Sequence, residues 1–206
     1  MKQAANLTLN EDTEQDNRNS PLFNISTSIV TDETIEIVSS IICYIVSSHL
    51  SECSTEALIK DFHTTSVPSP PSDPIFTPTQ KLCNKIMKFF KFVRDQVHIT
   101  TAELAHSLNL ICTFIQNDSE HSTPNRPSII NHNTLGTLFL CGIIISLKMN
   151  RDHCLKNSFW AHTLNIPLQV LNASEIAFLE KIQFSLFLDE RGYSELFRSI
   201  MDLSTS

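Results

Sequence analysis

Two charged side chains, Lys148 and Glu175, stand apart from the rest because of what surrounds them. Lys148 closes a helix-length run that is apolar almost all round, Leu135 to Leu147. Glu175 lies in an amphipathic segment in which Leu171, Phe178, Leu179, Ile182 and Leu186 recur at helical spacing, leaving Glu175, Glu180, Lys181 and Gln183 for the other positions. The two segments therefore place one ammonium and one carboxylate beside a large apolar surface. Each residue also has a plainer reading. Lys148 is a basic group near a helix C-terminus, favourable to the dipole. Glu175 is the third-position partner of an Asn172 capping box, if the helix starts there rather than at Pro167.

Other reactive residue types form no catalytic set. His98 and His106 lie in or near one helix and His153 neighbours Cys154, but nothing supplies a nucleophile, a base and an orienter in recognisable spacing. With 3 Gly in the whole chain, a glycine-rich phosphate loop is nearly forbidden. Cys43, Cys53, Cys83, Cys112, Cys141 and Cys154 show no C-x-x-C pair and no zinc-like spacing with His, so no metal is expected. They read as reduced thiols that mostly occupy apolar helix positions. A net charge of −7 argues against a nucleic-acid footprint. The row Lys81, Lys85, Lys88 and Lys91 reads as an anion site or a solvated basic face. Asn6, Asn24, Asn117 and Asn172 open glycosylation triplets that read as chance in a chain with no secretory signal. Ser20-Pro21, Ser69-Pro70, Thr77-Pro78 and Thr123-Pro124 are either proline-directed phosphorylation sites or loop punctuation.

The elements that must position Lys148 and Glu175 follow from periodicity and punctuation. The 206-residue chain fits one domain with a flexible arm, and the scarcity of glycine suits a helical domain. Residues 1–26, rich in Asn, Thr, Ser, Glu and Asp, are expected to be a disordered arm. A first helix is expected from about Asp32 to Leu50, capped by Thr31 or Asp32, with Ile35, Val38, Ile41, Ile42, Ile45 and Val46 on one face. Prolines between Thr64 and Pro74 make an extended crossing. Helices then follow from about Thr79 to Val93, from a Thr100 or Thr101 cap through Ile115, through the apolar run to Lys148, and through Phe159 to Leu164. Asn165 can take the left-handed stop and Pro167 can start the Glu175 helix. Gly192 to Leu203 offers one terminal helix. The apolar run is expected at the centre of an all-α bundle, with Gly142 and Ser146, one turn apart, permitting close helix approach. It is too short and interrupted to span a bilayer.

A specific resemblance is carried by Asn157-Ser158-Phe159-Trp160-Ala161-His162, then Ile166, then Leu171-Asn172-Ala173-Ser174-Glu175-Ile176-Ala177-Phe178-Leu179. This is similar to the phosphate-pathway (P- or U-type) cyclins, in which S-N-x-x-[YW]-A-K-V-G-G-I leads to E-L-N-x-L-E-x-x-F-L. Ile145-Ser146-Leu147-Lys148 with Asp152 resembles that family's V-A-S-K-x-x-x-D, and Phe62-His63 its F-H-S. The resemblance covers residues 32 to 188, and Lys148 to Leu186 is its specific part. The family's His-Arg falls on Gly136-Thr137, its Y-x-D-R on Phe114 to Asn117, and its paired glycines on Leu164-Asn165.

The resemblance implies a single five-helix cyclin box preceded by an N-terminal helix, with the domain over 27–188 and a C-terminal tail over 189–206. It implies a regulatory subunit, not an enzyme, that binds and activates a cyclin-dependent protein kinase of the phosphate-pathway type as a heterodimer. Lys148 and Glu175 would hydrogen-bond main-chain groups at the start of the kinase's αC helix, with Ile144, Leu147, Phe178 and Leu179 supplying the apolar groove. Holding that helix inward completes the kinase's Lys–Glu ion pair. No cofactor, nucleic acid or membrane is implied, and an intracellular site, nucleus or cytoplasm, is expected. The alternative is a cyclin-fold adaptor that binds without activating.

Overall fold

In the computed structural model, residues 27–49, 77–121, 128–131 and 134–204 are described. The N-terminal arm, Cys53, Phe62-His63, the proline-rich crossing and the Thr123-Pro124 site lie outside them. Among the described residues there are seven helices and no strand: α1 Asp32–His49, α2 Pro78–Val97, α3 Thr101–Glu120, α4 Leu135–Asn150, α5 Asn157–Thr163, α6 Leu168–Lys181 and α7 Glu190–Ser204. The fold is all-α, as expected.

Local chemistry explains where these helices begin and end. Thr31 caps α1, its hydroxyl accepting from the Thr34 N–H at 3.2 Å. Thr77 and Gln80 form a reciprocal capping box ahead of α2, with Pro78 at a position where the missing N–H is harmless. Thr100 and Glu103 do the same for α3. Between α2 and α3, His98 takes the left-handed conformation at φ 50° and returns its N–H to the Arg94 carbonyl. Asn165 does so at φ 52° between α5 and α6.

The apolar run of α4 is buried without a break from Leu138 to Leu147, as a helix surrounded by neighbours must be. It is not the only hub. α3 packs against α1, α4, α6 and α7, whereas the main neighbours of α4 are α3 and α6. Periodicity under-reads α3 because Glu103, His106, Ser107 and Asp118 are buried in it although polar. Each has a partner on another element or within its own turn, and only then is burial tolerable.

Close approach of α3 and α4 has a specific cause. A Cβ built on Gly142 would lie 2.8 Å from Ile111 Cγ1 and 3.6 Å from the Ser107 carbonyl oxygen. One turn on, Ser146 donates its hydroxyl to the Glu103 carbonyl at 2.7 Å. Gly142→Val is therefore expected to lower stability by about 2 to 3 kcal/mol through overpacking, read as an earlier urea midpoint at unchanged slope. An unchanged midpoint would show that the interface has room.

The lysine row divides. Lys91 meets Asp32 at 2.9 Å and Arg94 also pairs with Asp32, tying α2 to the start of α1. Lys81 and Lys88 are exposed. The side-chain bonds from Lys91 and Arg94 hold the Asp32 carboxyl below its ordinary range. At the other end of the chain α7 packs on α1 and α3, burying Phe197 and Ile200, so the packed body continues past Leu188.

Candidate functional site

α4 and α6 pack side by side, and Lys148 and Glu175 meet between them. Lys148 Nζ lies 2.5 Å from Glu175 Oε1. The second carboxylate oxygen, Oε2, accepts from the Asn157 side-chain amide, also at 2.5 Å, from the first residue of α5. That amide donates as well to Asn172 Oδ1 at 2.9 Å, one turn ahead of Glu175 on α6. The carboxylate is set into a wall: Glu175 is 9% exposed. The Lys148 side chain keeps 36% of its surface in solvent. An ammonium has three donors, and among the described residues Glu175 takes one of them, leaving two for a partner.

The plainer readings fare differently. α6 begins at Leu168, so Glu175 stands two turns inside the helix and is no capping-box partner of Asn172. Lys148 does lie in the last turn of α4, where it favours the dipole as well as the pair.

The apolar part of the sequence reading needs correction. Ile144, Leu147 and Phe178 are 1%, 3% and 2% exposed. They are core residues that hold α4, α6 and α3 together, and Phe178 stacks on Phe114 with ring centroids 4.9 Å apart. In this conformation no partner could touch them. The reason is that α4 and α6 pack directly on each other, so an apolar position on the facing side of either helix is filled by its neighbour. Leu179 is half-buried. It shares a stripe of α6 with Leu168, Asn172 and Glu175, at helical spacing. The large apolar side chains left exposed on these two helices are Leu168, Val170 and Ile176 on α6 and Met149 next to Lys148 on α4. Asn157 opens the cyclin-like motif and Asn172 precedes Glu175 by three residues, but the bond from Asn157 to both was not legible because it comes from another helix, a contact with no signature in spacing.

The amphipathic segment also stops earlier than its apolar spacing suggests, at Lys181 rather than Leu186. Asn117 donates to the Lys181 carbonyl at 3.0 Å, satisfying one of the orphan acceptors of the helix end. Gln183 and Phe184 then both take the left-handed conformation, φ 54°, and turn the chain back. Phe184 and Phe187 remain exposed.

A family model for the cyclins matches residues 44–186, from within α1 to just beyond α6. The chain belongs to the cyclin family. Comparison with curated proteins finds none that matches. Members of this family are regulatory rather than catalytic, and a cyclin domain suggests a protein partner such as a kinase. The five helices α2 to α6 are the cyclin box, with α1 leading into it.

Buried ion pairs tie the helices of this cyclin together. Glu103 on α3 receives a two-pronged bond from Arg151, Nε to Oε1 at 2.5 Å and Nη2 to Oε2 at 2.7 Å. Arg151 Nη1 also reaches the Val97 carbonyl at 3.0 Å. Asp118 is buried against Lys181 at 2.8 Å and accepts from the Ser128 hydroxyl and the Ile129 N–H. The first of these ties fixes the end of α4 three residues from Lys148, and the second fixes the end of α6.

His106 completes the frame. Its Nε2 lies 3.0 Å from the Leu186 carbonyl, and its Nδ1 lies 2.8 Å from Asn150 Nδ2, which also donates to the Ser146 carbonyl. Those partners select the neutral ring with its proton on Nε2. A second proton on Nδ1 would set donor against donor. Burial lowers the His106 pKa below its ordinary 6.5, with the Leu186 carbonyl opposing. A depressed histidine pKa means that the unfolded chain binds more protons, so stability is lost as pH falls below 6.5. The melting temperature of the wild type is expected to fall across that window, and His106→Gln to flatten the dependence. An identical pH profile for both would exclude His106 as its source.

The described cysteines, Cys43, Cys83, Cys112, Cys141 and Cys154, are free thiols. Burial pushes Cys112 up to about 11 and Cys141, beneath the Lys148–Glu175 pair, up to about 12. Thiols with such values are inert as nucleophiles. No helix among the described residues is long and apolar enough to cross a membrane.

Proposed function

We propose that this cyclin binds a cyclin-dependent protein kinase, of the type found in phosphate-pathway signalling, and activates it by holding its αC helix inward. The observation that carries this reading is the Lys148–Glu175 pair, brought together at 2.5 Å from the end of α4 and the middle of α6. A segment just ahead of a partner helix offers free carbonyls and free N–H groups. An ammonium with two spare donors and a carboxylate with spare lone pairs recognise both at once, through bonds stronger than neutral ones. Leu168, Ile176, Leu179 and Met149 give such a helix an apolar seat beside the charges. The chain itself supplies no chemistry, since its effect would be to complete the kinase's own Lys–Glu pair and metal site.

The test is co-purification from the native cell with identification of the bound kinase, followed by a phosphorylation assay with and without the purified cyclin. Stimulated phosphoryl transfer is the expected result. Tight binding without stimulation would replace the reading with a non-activating adaptor, and no kinase among the bound proteins would overturn both.

A further inference from the structure

Glu175 is the only acceptor that Lys148 has among the described contacts, and it is held from a second side by a residue with no charge of its own. A glutamate has three side-chain torsions, so an ammonium on one oxygen still lets the carboxylate plane swing. Asn157 removes that freedom. Its Nδ2 donates to Glu175 Oε2 at 2.5 Å and to Asn172 Oδ1 at 2.9 Å. The amide cannot be turned over, because its oxygen would then face two acceptors. In the orientation it does take, Asn157 Oδ1 is buried with no hydrogen bond from any described residue. An unpaired buried acceptor works against folding, so the amide is arranged for the carboxylate and not for its own satisfaction.

We propose that Asn157 is a positioning residue of the docking site. It locks the plane of the Glu175 carboxylate, with Asn172 as its anchor, so that the carboxylate and Lys148 are already in place when the partner backbone arrives. Pre-ordering these side chains before association removes part of the entropy loss of binding. The inference rests on the kinase-binding reading above and goes beyond it by adding a third helix, α5, to the site.

The experiment is a binding titration of the full-length chain against the cyclin-dependent kinase that co-purifies with it. It compares wild type, Asn157→Ala, Asn157→Asp, Glu175→Ala and the Asn157→Ala/Glu175→Ala double variant, with melting temperatures for all. A hydrogen bond to a charged group at this strength corresponds to a loss of about tenfold or more in affinity. Asn157→Ala is therefore expected to weaken binding about tenfold in the wild-type background and to have no further effect once Glu175 is gone. Asn157→Asp, nearly the same shape but with an acceptor facing the carboxylate, is expected to weaken it more than Ala does. A purely structural role would give the same loss in both backgrounds and would let Asp substitute. Either outcome overturns the proposal, as does full affinity in Asn157→Ala while Glu175→Ala still binds poorly. Undiminished binding by Glu175→Ala would instead remove the kinase-binding reading, and the role of Asn157 with it.

Discussion

Lys148→Ala and Glu175→Ala are each expected to weaken kinase binding by about thirtyfold or more while leaving the cyclin folded. Truncating one member of a hydrogen-bonded charge pair that becomes buried in a complex costs about 2 to 5 kcal/mol, at 1.4 kcal/mol per factor of ten. The lower end applies to Lys148, whose side chain is 36% exposed in the free chain and partly solvated before binding. Glu175→Ala should have the larger effect. It removes the partner-facing acceptor and also leaves Lys148 and Asn157 without the group that orients them. Folding should respond less to the loss of Lys148, because its ammonium is partly in solvent and the buried Glu175 carboxylate keeps the Asn157 amide as a partner. The decisive measurement is the split between affinity and melting temperature. Full-strength binding by both folded variants would reject the contact.

Arg151→Ala should act in the opposite sense, primarily on the fold. Its guanidinium grips the Glu103 carboxylate with two parallel bonds, a geometry that lysine could not reproduce. The Glu103 side chain is almost fully buried. Breaking a buried pair by removing one member costs about 3 to 5 kcal/mol, because the remaining charge is left uncompensated. For a domain of this size that is a fall of about 10 °C in melting temperature. The double variant Glu103→Leu/Arg151→Met should recover much of the loss, since apolar residues of similar volume escape the desolvation penalty. Melting of Arg151→Ala within a degree or two of wild type would show that the pair contributes little.

The same pair sets an acid limit. Burial pushes the Glu103 carboxyl upward, but the Arg151 bonds and the Thr100 N–H outweigh it and hold the group below its ordinary 4.5. A depressed carboxyl pKa contributes stability that is fully present above 4.5 and is lost as pH falls through the lower folded value. In Arg151→Ala that acid dependence should shrink, as burial is then opposed mainly by Thr100.

Much of the frame was legible in the residues themselves. Thr100 with Glu103 in its first turn announces a helix start because a cap needs only residues three apart, whereas the start expected near Thr79 overlooks the equivalent box of Thr77 and Gln80. Asn165 announces a stop because few side chains tolerate a left-handed backbone. The run from Leu138 to Leu147 announces a buried helix because no face of it could meet water. Lys148 and Glu175 could be named from the motifs around them.

What the chain order could not decide was everything that depends on which side of a helix faces which neighbour. Ile144, Leu147 and Phe178 look like groove residues in sequence and are core in space, because α4 and α6 close directly on one another. Glu103 with Arg151, Asp118 with Lys181, and Asn157 with Glu175 are 48, 63 and 18 positions apart by subtraction of their numbers. No local period links residues so far separated. Helical spacing reports only what lies within a few turns of one rod, whereas a polar partner is chosen by how rods pack, and packing is a property of the assembled bundle.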